Sequence, residues 1–373
     1  MRSLVRKSIL DVKPYLPGKP IEEVKRELGL KEVIKLASNE CPLAPSPKVL
    51  KAITQAAQSL NRYPDGGCFH LRQELSRRLK VSPQQLIIGN GSDEIIVLAI
   101  RAFIEQGDGV VVARPSFLIY EIASQIAGAS IAAVALKDFH YDLEGMKKAV
   151  TQKTKIIFIG NPDNPASTYI TQSQVIDFLK SIRRDILVFF DEAYFEFVQE
   201  KDYPDTIALL KNYPNIMITR TFSKMYGLAG LRVGYGIAHE ELIDLLNRVR
   251  EPFNVNSLAQ QAALTCLKDS KYYEKIKAMI IEQKEFLYQE LQKLGLSCVE
   301  SSTNFLLVNV NADPAPSSEA RSGTGSRRVS EALLKKGVIV RDMDFWGIKD
   351  FIRVTVGTPR ENKKFIRALK SLV

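Results

Sequence analysis

Four stretches of this chain are continuously apolar, with polar residues only at an end: VVVA at 110–113, KIIFIG at 155–160, ILVFF at 186–190 and NIMIT at 215–219. A strand with one wet face alternates apolar and polar residues, whereas a strand with no polar face has to be covered on both sides. Between and around these runs lie segments of helical period, EIIVLAIRAF, SFLIYEIASQIAG and TQSQVIDFLKSI, and a further strand-like run, LIIGN. Strand and helix in alternation specify an α/β fold, a mostly parallel sheet with helices on both faces. Ligands in such a sheet bind beyond the carboxyl ends of the strands. The polar residues that interrupt the pattern fall there: Asn90 to Glu94, Asn161 to Asn164, Asp191 to Tyr194, and Lys224.

The pattern changes on either side of this core. Residues 1–38 mix prolines and charges ahead of a short amphipathic segment, IEEVKRELGL, and are expected to form an N-terminal arm packed on something else. Residues 39–250 carry the alternating units and are read as a large ligand-binding domain. Long helical segments follow, then the strand-like FLLVNV, GVIVRD and FIRVTVG and a closing helix, so 251–373 are expected to be a smaller α+β domain. Residues 311–328, rich in proline, arginine and small residues, read as a surface loop.

The 52 Lys and Arg against 42 Asp and Glu leave a charge of +10, but the cations are dispersed among acids and form no basic run of the kind nucleic acid requires. Cys41, Cys68, Cys266 and Cys298 have no close pairing and no neighbouring histidine, so neither a metal site nor a disulfide framework is expected. With three histidines in the chain, lysine, carboxylate and tyrosine are left to carry the chemistry. No uncharged apolar stretch is long enough to span a bilayer and the first residues lack a signal-peptide core, so a cytoplasmic protein is expected.

That chemistry concentrates in TFSKMYGLAGLRVG, Thr221 to Gly234. A lysine, Lys224, stands behind the hydroxyls of Thr221 and Ser223 and ahead of Arg232. An amine to condense with an aldehyde, beside donors for a phosphate, is what pyridoxal phosphate requires. GNGSDE ends a strand and opens a helix, so the amides of Ser92 and Asp93 suit either an anion or plain capping. Asp191 closes the apolar ILVFF, where a carboxylate needs a cation or strong donors; a pyridinium nitrogen is one such partner. Tyr194 follows three residues on, and the NPDNP turn fixes Asn164 near the same edge, both in reach of a phenolic ring oxygen. Tyr120 offers a ring that either stacks on a planar cofactor or packs in the core. Arg353, inside the strand-patterned FIRVTVG, and Arg341 after GVIV call for anions to bind.

Taken in order, KPYLPGKPIEEVKRELGL, SNECPL, NRYPDGG, GNGSDE, NPDNP, DEAY, SKMYGLAGLRVGY and FIRVTVGT resemble the fold-type I pyridoxal-phosphate aminotransferases, and among them the histidinol-phosphate aminotransferase family. The resemblance runs from about Lys13 to the C-terminus and implies a PLP-transferase fold of a large α/β and a small α+β domain. It implies that Lys224 binds the cofactor covalently and then shuttles a proton, that Asp191 holds the pyridine nitrogen, and that Asn164 and Tyr194 hold the ring oxygen. Tyr120 would stack on the ring; Ser92, Asp93, Thr221, Ser223 and Arg232 would hold the phosphate, with Tyr63 reaching it from the second subunit of a homodimer. Arg341 and Arg353, with Tyr15 and Asn39, would bind the donor's phosphate and the second substrate's carboxylate. The implied reaction passes an amino group between histidinol phosphate and 2-oxoglutarate, with no metal. An aromatic amino-acid aminotransferase, a decarboxylase resembling the threonine-phosphate enzymes and a degenerate cofactor-binding protein are the alternatives. Four residues depart from the family pattern: Cys41 for asparagine, Ala44 for glycine, and Ala166-Ser167 for Thr-Gly. Loss of a glycine matters where the turn needs a positive φ.

Overall fold

A computed structural model describes residues 4–15, 18–311 and 325–372. Its strands are β1 (Ile34–Lys35), β2 (Leu86–Gly89), β3 (Gly109–Arg114), β4 (Ser130–Ala135), β5 (Thr154–Gly160) and β6 (Leu187–Asp191). There follow β7 (Ile216–Thr221), β8 (Gly234–Ala238), β9 (Phe305–Asn309), β10 (Val338–Ile339), β11 (Arg341–Asp342) and β12 (Phe351–Thr355). The central sheet has seven strands in the order β2-β8-β7-β6-β5-β3-β4. Every pair from β7 through β6, β5 and β3 to β4 is parallel, and β8 runs antiparallel to both its neighbours.

The apolar runs end up as the sequence implies, and their two-residue period divides them between two cores. Ile157 and Ile159 of β5 with Val188 and Phe190 of β6 face one side, where they join Leu71, Leu75, Phe178 and Ile280. Ile156, Phe158, Leu187 and Phe189 face the other, against Ile95, Ile96 and Leu246. Each of these eight strand side chains is buried, so helices on both faces are what keep the strands dry.

Two strands of the sheet have no clear sequence signal. β4 is an edge strand with mixed exposure, and β8 reads GYGIA, two glycines in five residues. The glycine at 234 answers to packing: a Cβ there would lie 2.5 Å from the Ser92 amide nitrogen and 3.0 Å from the Arg220 carbonyl oxygen.

Towards the C-terminus, β11, β12 and β9 form an antiparallel sheet beside the helices Ser270–Lys293, Gly325–Lys335 and Pro359–Lys370. From the other end of the chain, β1 pairs in parallel with β10, and Val24, Val33 and Ala37 pack on Ile339. Most of the expected loop at 311–328 lies outside the described residues. Its last part is a correction: Gly325 opens a helix whose Ser326 and Leu333 are buried. No helix among the described residues is long and apolar enough to cross a membrane, and none of their acidic, histidine or cysteine side chains cluster as metal ligands.

Candidate active site

At the carboxyl ends of β5, β6 and β7 a cavity of about 340 Å³ opens, and Lys224, Asp191, Tyr194, Asn164, Ser92 and Arg232 all line it. Asp191 is the last residue of β6, opposite Thr219 in the β7 register. It is 6% exposed, and burial pushes its carboxyl up to about 6. Against that burial its oxygens accept from the Tyr120 hydroxyl at 2.8 Å and the Thr219 hydroxyl at 3.3 Å.

The Tyr120 bond corrects a sequence expectation. Its ring lies flat on Phe158, centroids 4.8 Å apart and planes 3° from parallel, and meets Phe117 edge-on at 5.6 Å. In the first turn of the helix Leu118–Ala127 the tyrosine is buried, with one ring face on Phe158 and its hydroxyl turned to Asp191 in the cavity wall. Phe117, at the cap just before that helix, is the phenyl ring that lines the cavity beside Asp191. Its place on the loop leaving the carboxyl end of β3 was the available signal. Thr219 went unread too, since in the sequence it is one more residue of an apolar strand.

Lys224 follows β7 and donates to the Ser38 carbonyl oxygen at 3.3 Å; its nitrogen lies 5.6 Å from the Tyr194 ring centroid. Burial, with the Arg353 charge adding to it, brings the amine down to about 8, so it gives up its proton far more readily than a free lysine. Tyr194 is buried, accepts from the Asn39 amide at 2.9 Å, and is pushed up to about 12 by burial, so its hydroxyl keeps its proton. Asn39 holds a left-handed φ of 55°. That turn is fixed by its backbone N–H donating to the Thr355 hydroxyl at 2.9 Å and by Asn304 donating to its carbonyl at 3.1 Å.

Arg353 projects from β12 and donates to the Asn164 amide oxygen and, at 2.9 Å, to the Ala37 carbonyl. Its Nε is buried with no acceptor among the described residues. A buried guanidinium N–H without a partner is costly, and an incoming anion removes the cost. Arg341 is its cross-strand partner on β11. Tyr15 lines the cavity and is 45% exposed.

At the other end, Gly91 caps the helix Ser92–Phe103 with φ 85° and no side chain caps its first N–H groups. Arg232 closes this end, donating to Asp93 at 3.2 Å and to the Ala229 carbonyl at 3.1 Å, and reaching the Ser223 hydroxyl at 3.5 Å. Ser223 N–H donates in turn to the Thr221 hydroxyl at 3.1 Å. A Cβ at position 91 would lie 2.7 Å from an Arg232 nitrogen, so glycine keeps the space between helix start and guanidinium clear. Of the expected site residues, Arg353 and Asn39 reach the cavity through Asn164 and Tyr194, Arg341 lines a neighbouring cavity beside Gly18 and Arg327, and Tyr63 is not brought in. It is 83% exposed and stacks on the half-exposed Phe253 at 4.7 Å.

The donor set fits pyridoxal phosphate on these grounds: an amine whose burial makes it easier to deprotonate, a buried carboxylate short of a cation, and an uncapped helix start facing an arginine. Residues 31–369 match the family of aminotransferases class I and II. The chain belongs to that family, the class its fold and cavity describe. It is 47% identical over 369 residues to the histidinol-phosphate aminotransferase of Moorella thermoacetica, covering 99% of this chain and 92% of that one. With histidinol-phosphate aminotransferase 2 of Carboxydothermus hydrogenoformans it shares 44% over 371 residues, 99% of each chain. Among solved structures, the histidinol-phosphate aminotransferase of Sinorhizobium meliloti in complex with pyridoxal-5'-phosphate superposes with a TM-score of 0.85 at 25% identity over the whole of both chains. Within the larger class, then, the chain is a member of the histidinol-phosphate aminotransferase family.

Proposed function

We propose that this protein uses pyridoxal phosphate to pass an amino group between histidinol phosphate and 2-oxoglutarate, giving imidazole-acetol phosphate and glutamate, in histidine biosynthesis. The observation that carries the reading is the layout of one cavity. Lys224 and Asp191 line it, a helix start and Arg232 hold one end, and Arg353 with its unpartnered N–H stands beside Asn164 and Tyr194.

When bound, pyridoxal phosphate supplies an aldehyde that takes up the substrate nitrogen and a ring that withdraws electrons from the neighbouring carbon. The chain's residues do the rest. Asp191, held by Tyr120 and Thr219, keeps a proton on the pyridine nitrogen. Asn164, whose amide oxygen is taken by Arg353, has its NH₂ to donate to the ring oxygen, as Tyr194 has its hydroxyl. Ser92 and Asp93 by their backbone N–H groups, with Thr221, Ser223 and Arg232, hold the phosphate, and Phe117 covers the ring. Lys224, its nitrogen neutral above about pH 8, would be the group at which a proton is accepted and given back, at Nζ. Arg353 and Arg341, with Tyr15 and Asn39, bind the phosphate of one substrate and the carboxylate of the other.

The reading includes a cytoplasmic homodimer in which Tyr63 serves the partner's phosphate site. Its support is the exposure of Leu50, Leu60, Tyr63 and Phe69 along one stretch of chain, with the half-exposed Phe253 stacked on Tyr63, since exposed apolar side chains that gather mark interaction surfaces. It also keeps the division into an arm (1–38), a large domain (39–250) and a small domain (251–373).

The test is optical. Histidinol phosphate added to the purified holoprotein without a keto acid should bleach the visible band of the bound cofactor, and 2-oxoglutarate should restore it. An unchanged band refutes the donor, and release of carbon dioxide refutes transamination.

A further inference from the structure

Arg341 and Arg353 are directly paired across β11 and β12, where like charges repel. The turn Asp344–Trp346 follows β11 and brings an indole to both. The guanidinium carbon of Arg341 lies 4.7 Å from the Trp346 ring centroid and that of Arg353 lies 5.9 Å from it. Among the described residues Trp346 is the one ring within cation–π reach of both; the other ring near Arg353 is Phe305, at 5.3 Å. The indole is anchored in turn, packed on Leu307, Met343 and Ile348.

Two cations on one side of a sheet are useful where the ligand carries two negative charges. Arg353 is fixed by Asn164 and Ala37 whatever Trp346 does, and the Arg341 guanidinium is the nearer of the two to the indole. We propose that Trp346 is a positioning residue that sets the preference for a phosphorylated donor: its ring holds Arg341 beside Arg353 so that both guanidiniums meet one dianionic phosphate. A carboxylate, with one charge, is served by Arg353 alone and depends little on the indole. The proposal rests on the anion-binding role of the two arginines given above.

Trp346 is the only tryptophan of the chain, which provides a readout independent of turnover. Titrating the wild-type holoenzyme with inorganic phosphate should give a saturable change in tryptophan emission, because the anion draws Arg341 against the ring that reports it. In kinetics, Trp346→Leu should raise KM for histidinol phosphate about tenfold, the order of one cation–π contact. KM for 2-oxoglutarate and kcat should stay within about twofold of wild type on the same argument. Trp346→Phe, which keeps a π face, should recover most of the loss. Equal effects on both KM values, a loss confined to kcat, or a Phe variant as poor as the Leu variant each overturn the proposal. So does an emission that ignores phosphate, a measurement that stands even if the Leu variant fails to fold. A wild-type holoenzyme that responds to phosphate but does not turn over histidinol phosphate would overturn the donor reading instead.

Discussion

Replacing Tyr120 by phenylalanine separates its two conceivable uses, because the ring stays and the hydroxyl goes. Asp191 sits in a cavity wall where burial has already raised it to about 6, and the Tyr120 hydroxyl at 2.8 Å is the shorter of the two side-chain bonds that oppose this. A hydrogen bond to a charged group contributes about 1.5–3 kcal/mol, equivalent to about one to two pH units in a carboxyl's titration. In Tyr120→Phe, Asp191 should then titrate at roughly 7–8 in the cofactor-free protein. If the ionised carboxylate is the form that binds the pyridinium, the apparent Kd scales inversely with its population. At pH 7 that population falls from about nine-tenths to between about one-tenth and one-half, so Kd for pyridoxal phosphate should weaken about 2- to 10-fold. At pH 6 the ratio of variant to wild type should grow further, and by pH 9 it should approach one. Lys224 titrates in both proteins and cancels from the ratio. The assay is an absorbance titration of apoprotein with pyridoxal phosphate across this range. A ratio near one at every pH would mean the hydroxyl is idle and would refute the assignment. Phe117→Leu serves as the contrast: loss of a stacking face should weaken binding by a factor that does not vary with pH.

Three other perturbations have signs fixed by the structure. Arg220→Met would leave Glu192 without the cation 2.9 Å from it, both side chains being almost fully buried; the cost should be about 3–5 kcal/mol in unfolding free energy, read from a denaturant midpoint. Ser167 has a left-handed φ of 70°, and its hydroxyl donates to the Glu300 carbonyl at 3.3 Å. Ser167→Ala keeps the strain and loses the bond, whereas Ser167→Gly loses both, so glycine should exceed alanine by about 1 kcal/mol in the same measurement. Lys224 titrates at about 8 in the folded apoprotein and near 10.4 when unfolded. Between those values the unfolded chain binds the extra proton and stability rises with pH. From pH 8 to 10 the wild-type apoprotein should gain about 2 kcal/mol relative to Lys224→Met, and equal responses would contradict the buried amine.

What could be seen in the sequence follows from the range of the forces involved. β5 and β6 announce themselves because the middle of a strand covered on both faces must be apolar on both, as the burial of Ile156–Ile159 and Leu187–Phe190 shows. β8 does not, since its glycines answer to neighbours far along the chain: a Cβ at Gly236 would lie 2.3 Å from the Met217 side chain. The pairing of Ile34 and Lys35 with Val338 and Ile339 joins opposite ends of the chain and leaves no local mark. At the site, position along a strand end was enough to single out Asp191 and Lys224. That the Tyr120 ring packs on Phe158 while its hydroxyl meets Asp191 was not legible, because Phe117 and Tyr120 are aromatic residues of one segment and only that packing tells them apart.

The departures from the family pattern divide by the same logic. Ala44 stands outside the left-handed region, so a side chain there meets no backbone penalty, and its carbonyl still accepts from the Tyr272 hydroxyl at 2.9 Å. Cys41 fits against Gly227, where an added Cβ would come within 3.5 Å of the Cys41 Cβ. Ser167 is different, a fully buried non-glycine at positive φ that is held there by three bonds. Its N–H donates to the Asp163 carbonyl at 3.1 Å, its carbonyl accepts from Ser302 N–H at 2.9 Å, and its hydroxyl reaches Glu300. Asp163 also takes the Ala166 N–H at 2.9 Å, which locks the turn that carries Asn164. The strain of losing glycine is therefore absorbed by bonds to Asp163, Ser302 and Glu300, none of which involves Arg353. Asn164 is left where its amide oxygen meets the guanidinium, so the substitution should cost stability and spare the chemistry.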